Sequence, residues 1–230
     1  MVSDVVDEIL EAHGGRARWE QIDRVAVSLR AGGPMFSMKG QGRALERVRA
    51  VLRRDQTGCL TGSSPEAWVH PIRASGDLLW DLTALHHFAT FRRWRVADVA
   101  TFTASALWTY VFLPVVLADP RTRVRVRDRR GAGLRPVRLR FPHDVATHSS
   151  HQTVWIDDAG LIRRHDYTAL AFGRWATASQ RLDAYHTFDG LEVATSRRVV
   201  PELLGVRLPG PQLVWIEIDE VTFVSGATPA

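Results

Sequence analysis

Polar side chains capable of acid–base chemistry gather in two neighbouring segments of the C-terminal half. Residues 149–156 and 161–170 show the period of β-strands and flank residues 157–160 (Asp-Asp-Ala-Gly), a sequence typical of a turn. The pattern predicts an antiparallel hairpin. The residue pairs expected in its register are Ile156 with Leu161, Gln152 with His165, and Ser150 with Tyr167.

The alternation of side chains along a strand assigns this hairpin two faces. His165 and Asp166 are adjacent in sequence but point to opposite faces, so they cannot form a dyad with each other. His151 and Asp166 are instead directly opposed and could pair. The first face, aliphatic near the turn and polar at the far end, carries His148, Gln152, Val154, Ile156, Leu161, Arg163, His165, Tyr167 and Ala169. The other face carries His151, Thr153, Trp155, Arg164, Asp166 and Thr168.

An apolar wall with a few convergent polar groups is typical of a pocket for a small molecule. His148 and His165 are candidate catalytic residues, since imidazole titrates near neutral pH and can act as general acid or base. Tyr167, the third candidate, could stabilise a developing oxyanion. The alternative is that these are hydrogen-bonded structural residues of a sheet. The candidate ligand-binding residues are Gln152, Val154, Arg163 at the rim, and Trp108 and Tyr110 on a central apolar helix.

The sequence predicts neither a metal site nor a cofactor. His148 and His151 are three residues apart and face opposite sides of the predicted strand, which makes a poor chelate. No HExxH, CxxC, P-loop or GxSxG motif occurs. His86 and His87 lie together in a predicted helix, where one of them could point into the pocket.

The positive charge of the chain does not predict a nucleic-acid partner. The formal net charge is +5, but Lys39 is the only lysine and acids are scattered among the arginines. The one concentrated stretch alternates arginine with valine, which places the arginines on one solvated face of a strand. These arginines are Arg121, Arg123, Arg125 and Arg127.

Cellular location is expected to be cytoplasmic. The first fifteen residues contain acids where a secretory signal requires basic residues, and the single Cys59 cannot form an internal disulfide. Residues 99–118 lack charge and are long enough to span a bilayer, but they contain several hydroxyl side chains and Pro114. We therefore predict a buried helix that passes into an extended piece near Leu113, and no membrane insertion.

The remaining pattern predicts an α+β chain with one antiparallel sheet and a single domain over residues 1–230. The length and the 45% hydrophobic content are enough for a large core. The predicted elements are helices over 3–12, 77–90 and 97–110, a short turn over 16–21 with Trp19 in the core, and strands around 25–29 and over 68–73, 121–128, 137–141, 194–200 and 213–224, besides the hairpin. The apolar positions of residues 43–54 fit either period, and the neighbouring strands favour a strand there.

Two groups of residues resemble known proteins. Residues 12–15 (Ala-His-Gly-Gly), followed by Trp19 and an alternating strand, resemble the start of lipoprotein-carrier-like proteins of the LolA/LolB type. The C-terminal half resembles a group of uncharacterised actinobacterial and proteobacterial proteins. Its marks are Phe141-Pro142, Thr147-His148-Ser149, Gln152, the run from Gly160 to Tyr167, Gly173 and Arg197-Arg198-Val199.

The resemblance implies a strongly curved antiparallel sheet, a half-barrel, wrapped around plugging helices with an apolar central cavity. Two functions then compete. The first is binding of a small lipophilic molecule in that cavity. The second is a cofactor-free isomerase, cyclase or hydrolase that uses histidine chemistry on a hydrophobic substrate. Nucleic-acid binding ranks last because it rests on charge alone, and the oligomeric state is left open.

Overall fold

Antiparallel pairing joins strands from both halves of the chain into one open sheet. The computed structural model describes residues 2–62, 93–127, 133–204 and 206–226, and the backbone of 68–73. The strands are β1 (Ile22–Gly32), β2 (Val48–Arg53), β3 (Thr57–Gly62), β4 (Trp68–Arg73), β5 (Arg123–Val126), β6 (Arg135–Arg140), β7 (His151–Ile156), β8 (Ile162–Thr168), β9 (Thr177–Phe188), β10 (Leu191–Leu203), β11 (Val206–Arg207) and β12 (Val214–Ser225). Their order is β4-β3-β2-β1-β12-β10-β9-β8-β7-β6-β5, with β11 beside β10.

One face of this curved sheet is apolar and holds the core. In β2, buried and exposed residues alternate strictly, and in β1 the side chains of Val25, Val27 and Leu29 are buried while Arg24 and Arg30 are exposed. The helices are α1 (Val2–Ala12), α2 (Arg16–Gln21), α3 (Pro34–Met38) and α4 (Val96–Val116). The buried core includes residues of all four helices, so the sheet wraps around them as a half-barrel.

The long helix α4 fills the concave side of the sheet. Sixteen of its 21 residues are buried, and they lie on every side of the helix. A helix that is apolar all round must be enclosed. Within the described part of the chain, α4 is the one helix long and apolar enough to cross a membrane, and most of it is buried inside the protein.

Pro114 does not end α4, so the predicted extended piece near Leu113 is wrong. A proline lacks the N–H that would bond to the carbonyl four residues earlier, here the carbonyl of Tyr110. Nη2 of Arg197 donates to that carbonyl at 3.3 Å and replaces the missing bond. The helix therefore continues to Val116. Arg197 lies 87 positions after Tyr110 in the sequence, so the local sequence around Pro114 does not reveal this hydrogen bond.

The hairpin of β7 and β8 forms as predicted, but its register is shifted. Gln152 is paired with Tyr167, and Val154 with His165, so the partners predicted along the strands are displaced by two residues, whereas Ile156 next to the turn is paired with Ile162 and displaced by one. The loop is longer than four residues because the Asp157 carboxylate also accepts from the Leu161 amide, which keeps Leu161 in the turn. His151 and Asp166 are consequently not opposed, and Thr153 is paired with Asp166 instead.

A shift by two residues leaves the faces of the strands unchanged. His165 is fully buried on the concave side, and Asp166 lies on the convex side, where Trp155 Nε1 donates to it at 2.6 Å. Near the turn the register is irregular, so Ile162 rather than Leu161 is buried. Arg163 is the residue skipped at this irregularity; its Nε donates to Asp157 at 2.6 Å, and its guanidinium stacks on Tyr185.

Several other predicted elements are confirmed. α1 and the burial of Trp19 agree with expectation, β4 and the pairing of β5 with β6 form, and the four arginines around β5 are exposed. Of the strand predicted over 43–54, only residues 48–53 form a strand, β2, and residues 43–47 form turns and bends. The predicted helix over 77–90, with His86 and His87, lies outside the described residues, as does most of the loop between β5 and β6.

Candidate functional site

A buried polar cluster lies between α4 and the concave face of the sheet. Tyr110 of α4 reaches across the interior, and its hydroxyl is hydrogen-bonded to His148 Nε2 at 2.9 Å and to the Tyr167 hydroxyl at 3.1 Å. The rings of His148 and Tyr167 stack with centroids 4.3 Å apart. His148 comes from the loop before β7 rather than from the strand itself. One helix, one loop and one strand thus meet at a single hydroxyl group.

Gln152 organises the other side of the cluster. Its side-chain nitrogen donates to the Ser149 carbonyl at 2.8 Å and to the Thr147 hydroxyl. Its oxygen therefore accepts from Nε2 of His165. This contact fixes the His165 tautomer that is protonated at Nε2 and leaves Nδ1 as a buried acceptor that has no partner among the described residues. The ring of His165 packs edge-on against Tyr167, which connects the two halves of the cluster.

Arg197 of β10 brings a positive charge into this interior. The residue is 3% exposed, and its guanidinium lies 4.8 Å from the ring centroid of Tyr110. Both of its hydrogen bonds are 3.3 Å long and go to neutral acceptors, the Gln180 side chain and the Tyr110 carbonyl. Within the described residues Arg197 forms no ion pair, and its Nε has no partner. A buried cation without a carboxylate is uncommon, since buried charges are normally paired.

Burial governs the protonation of the cluster. Burial lowers the pKa of His148 to about 3. Burial also lowers the pKa of His165 well below its ordinary value, and electrostatic repulsion from protonated His148 and from Arg197 lowers it further. Burial raises the pKa of Tyr110 and of Tyr167. At neutral pH both histidines are therefore neutral and both tyrosines keep their protons. Arg197, whose pKa is also lowered by burial, is the cation of the cluster.

Two small cavities adjoin the cluster, and Tyr110 lies in the wall of both. The first, about 40 Å³, is almost entirely apolar and lies between α3, α4 and the strands β1, β10 and β12. Its lining consists of Leu29, Ala31, Phe36, Leu45, Phe102, Thr103, Ala106, Leu107, Tyr110, Tyr167, Val199, Val214 and Ile216. The second, about 20 Å³, contains Arg197, His13 and Tyr185 in its wall. Tyr110 is thus shared by the wall of an apolar cavity and the wall of a cavity that contains a charged residue.

A third, open depression of about 320 Å³ has a lining that is about equally polar and apolar, and it includes His151, Asp166 and Glu202 together with Gln152 and Tyr167 of the cluster. An open depression with so large a polar share does not have the mostly apolar composition of a lipophilic pocket. No group of three or more His, Cys, Asp or Glu side chains in the described ranges is arranged to hold a metal ion.

The structure brings most of the predicted site residues together. His148, Gln152, His165, Tyr167 and Tyr110 form the cluster, and Val154 is fully buried beside His165. Two predicted ligand-binding residues lie elsewhere. The indole of Trp108 donates to the Arg53 carbonyl at 2.9 Å, and Arg163 stacks on Tyr185 near the turn.

Two residues of this interior, Arg197 and Gln180, were not predicted as site residues from the sequence. The signal for Arg197 was present in the alternation of β10, in which Val193, Thr195 and Val199 are buried. An arginine at an inward position of such a strand indicates a buried charge. Gln180 had no comparable signal, because three successive residues of β9, residues 178–180, are buried.

Structural comparison assigns the fold. A LolA superfamily protein from Nitrosomonas europaea is similar with a TM-score of 0.52 and 10% sequence identity over 98% of this chain and 94% of that one. A DUF1329 family protein from Desulfovibrio piger has a TM-score of 0.47 and 13% identity over 99% of this chain and 95% of that one. The first similarity confirms a LolA-like fold. No protein-family model and no curated protein matches the sequence.

Proposed function

We propose that this protein binds a small lipophilic molecule between α4 and the concave face of the sheet. The observation that carries the proposal is the cavity beside Tyr110, whose lining is apolar except for Thr103 and the two tyrosines. Ligand pockets have this composition, with apolar walls for affinity and a few polar groups for orientation. The LolA-like fold, in which a curved sheet wraps around helices, agrees with such a pocket.

The cavity is small in this structure. Its 40 Å³ is well below the roughly 300–1,000 Å³ of ligand pockets. Binding therefore requires the walls to separate, and α4 and α3 are the elements that can move away from the sheet without breaking its strand pairing. We expect binding to be slow for this reason, because the open state must form first.

The protonation of the cluster favours binding over catalysis. An efficient general base has a pKa near the working pH. His148, with a pKa of about 3, and His165, with a pKa well below its ordinary value, are weak bases at neutral pH. Neutral histidines and protonated tyrosines are suited to orienting a ligand by hydrogen bonds. The cofactor-free enzyme is therefore the less favoured function.

Filling the cavity should abolish binding of a neutral lipophilic probe. Ala31 lines the cavity, and Ala31→Phe places a ring in the space that the ligand needs. We expect the affinity for N-phenyl-1-naphthylamine, measured by its fluorescence, to fall by roughly tenfold or more, a loss of about 1.4 kcal/mol or more. Ala26→Phe is the matched control, since Ala26 lies on the same strand but is not among the residues that line the cavity.

Circular dichroism and urea denaturation must show that both variants are folded. Equal affinity of folded Ala31→Phe, Ala26→Phe and wild type would place the probe elsewhere on the protein and contradict the proposed site. Absence of probe binding to the wild-type protein would contradict the proposed function itself.

A further inference from the structure

We infer that Arg197 binds the carboxylate group of the ligand, and that the ligand is a lipophilic monocarboxylic acid. The inference rests on the proposed function and adds the chemical class of the molecule. The guanidinium of Arg197 has no counter-charge among the described residues. Arg197 is 3% exposed, and in the described ranges its only hydrogen-bond acceptors are an amide oxygen and a backbone carbonyl.

Burial of a lone cation costs several kcal/mol even after the protein relaxes. The Tyr110 ring recovers part of this cost through a cation–π contact, and the two long hydrogen bonds recover another part. Capping of the Tyr110 carbonyl needs only a neutral donor, so it does not require an arginine. A structural role alone therefore does not account for a full positive charge at this position.

An unused donor of Arg197 defines the missing partner. Nε of Arg197 is buried and has no acceptor in the described part of the chain, whereas the side chain of Gln180 interacts with the hydroxyl of Tyr110. The two residues already touch, since Nη1 of Arg197 donates to the Gln180 oxygen. A ligand that completes this arrangement must be an acceptor without protons of its own. A carboxylate has this character, and it binds a guanidinium through two parallel hydrogen bonds.

The amount of charge favours a carboxylate over a phosphate monoester. Arg197 supplies one positive charge, and the histidines of the cluster are neutral. A carboxylate therefore produces a neutral buried pair, whereas a phosphate monoester at neutral pH carries up to two charges. The excess negative charge would be buried without a partner.

The position of Arg197 fits a molecule with an apolar tail. Arg197 and Tyr110 line the smaller cavity, and Tyr110 also lines the apolar one. A carboxylate at Arg197 thus lies one tyrosine ring away from the apolar space. When the walls separate, displacement of the Tyr110 ring joins the two cavities into one site with a charged end and an apolar end.

Three decyl compounds test the inference by competition with N-phenyl-1-naphthylamine at pH 7.5. We expect wild-type protein to bind decanoate at least about tenfold more tightly than decan-1-ol, the gain of a hydrogen bond to a charged group. Arg197→Met should bind the two equally by losing affinity for decanoate alone. The matched control is Arg198→Met, which removes the neighbouring arginine, paired with Glu217, and should keep the preference.

Each outcome has a separate meaning. If decanoate and decan-1-ol bind wild-type protein equally, the inference fails and the proposed function stands. If neither compound displaces the probe, the inference fails, and the effect of Ala31→Phe on binding of the probe itself decides the proposed function separately. If decyl phosphate binds more tightly than decanoate, the assignment to a carboxylate is wrong. Should Arg197→Met not fold, Arg197→Gln serves in its place; a glutamine keeps hydrogen-bond donors but carries no charge, so an unchanged preference in this variant would overturn the inference.

Discussion

Arg197→Met should stabilise the ligand-free protein against unfolding by about 1–4 kcal/mol, the range observed when buried ion pairs are replaced by apolar side chains of similar volume. Arg197 is buried without an ion pair in the described part of the chain, so its removal abolishes a desolvation cost that no carboxylate offsets. The hydrogen bond from Arg197 to the Tyr110 carbonyl is also lost, and this loss reduces the gain in stability. Pro114 has no N–H to donate to that carbonyl, so the carbonyl loses the donor that replaced it. Urea denaturation at pH 7.5 measures the difference.

Arg198→Met is again the matched comparison. Arg198 follows Arg197 on β10, is half-buried and pairs with Glu217. Its removal should leave stability unchanged or lower it by up to about 1 kcal/mol, as for partly exposed ion pairs. A marked destabilisation by Arg197→Met would show that Arg197 holds α4 together at Pro114, and that its charge is structural. A gain in stability would agree with a charge retained for function, since functional residues often reduce stability.

The second large effect is a loss of stability in mild acid. Burial lowers the pKa of His13, His148 and His165 in the folded protein, whereas in the unfolded chain each takes up a proton near pH 6.5. Below that pH the unfolded state binds more protons than the folded state, so stability decreases as the pH falls. Each histidine contributes up to about 1.4 kcal/mol per pH unit. We expect a total loss of about 2–4 kcal/mol between pH 6 and pH 5.

His148→Gln isolates one of these contributions. Between pH 6 and pH 5 the free energy of unfolding of this variant should fall less steeply than that of wild type. The difference in slope corresponds to about one proton, because one buried histidine no longer titrates. His151→Gln replaces an exposed histidine three residues away and should keep the wild-type slope. Aspartate and glutamate titrate mainly below this range, so they do not mask the effect. Identical slopes in wild type and His148→Gln would mean that His148 takes up a proton inside the folded protein.

The sequence predicted the composition of the site better than the pairing of its strands. His148, Gln152, His165 and Tyr167 were assigned to one face, and they meet there although the register was wrong by two residues. Faces depend only on whether a position is odd or even, whereas register depends on the geometry of the turn. The extra bond from Leu161 to Asp157 set that geometry, and residue types alone do not show it.

Other features depended on contacts between distant residues. The continuation of α4 past Pro114 requires Arg197, and the placement of Trp108 requires the carbonyl of Arg53. β9 was not predicted, because Ala184 has a positive φ of 50° and the alternation of the strand is lost around it. This strand forms because β8 and β10 supply hydrogen-bonding edges on both sides. Local patterns therefore identified strands with regular alternation and missed those defined by their neighbours.

The binding of a lipophilic molecule in the cavity beside Tyr110 is tested most directly by methyl NMR with decanoate. We expect intermolecular NOEs from the decanoate chain to the methyl groups of Leu29, Leu107 and Val199, which line the cavity. The methyl groups of Leu10 and Val137 are buried but line neither cavity, and they should show no such contact. NOEs confined to surface methyl groups, or none at saturating decanoate, would contradict the proposed binding site.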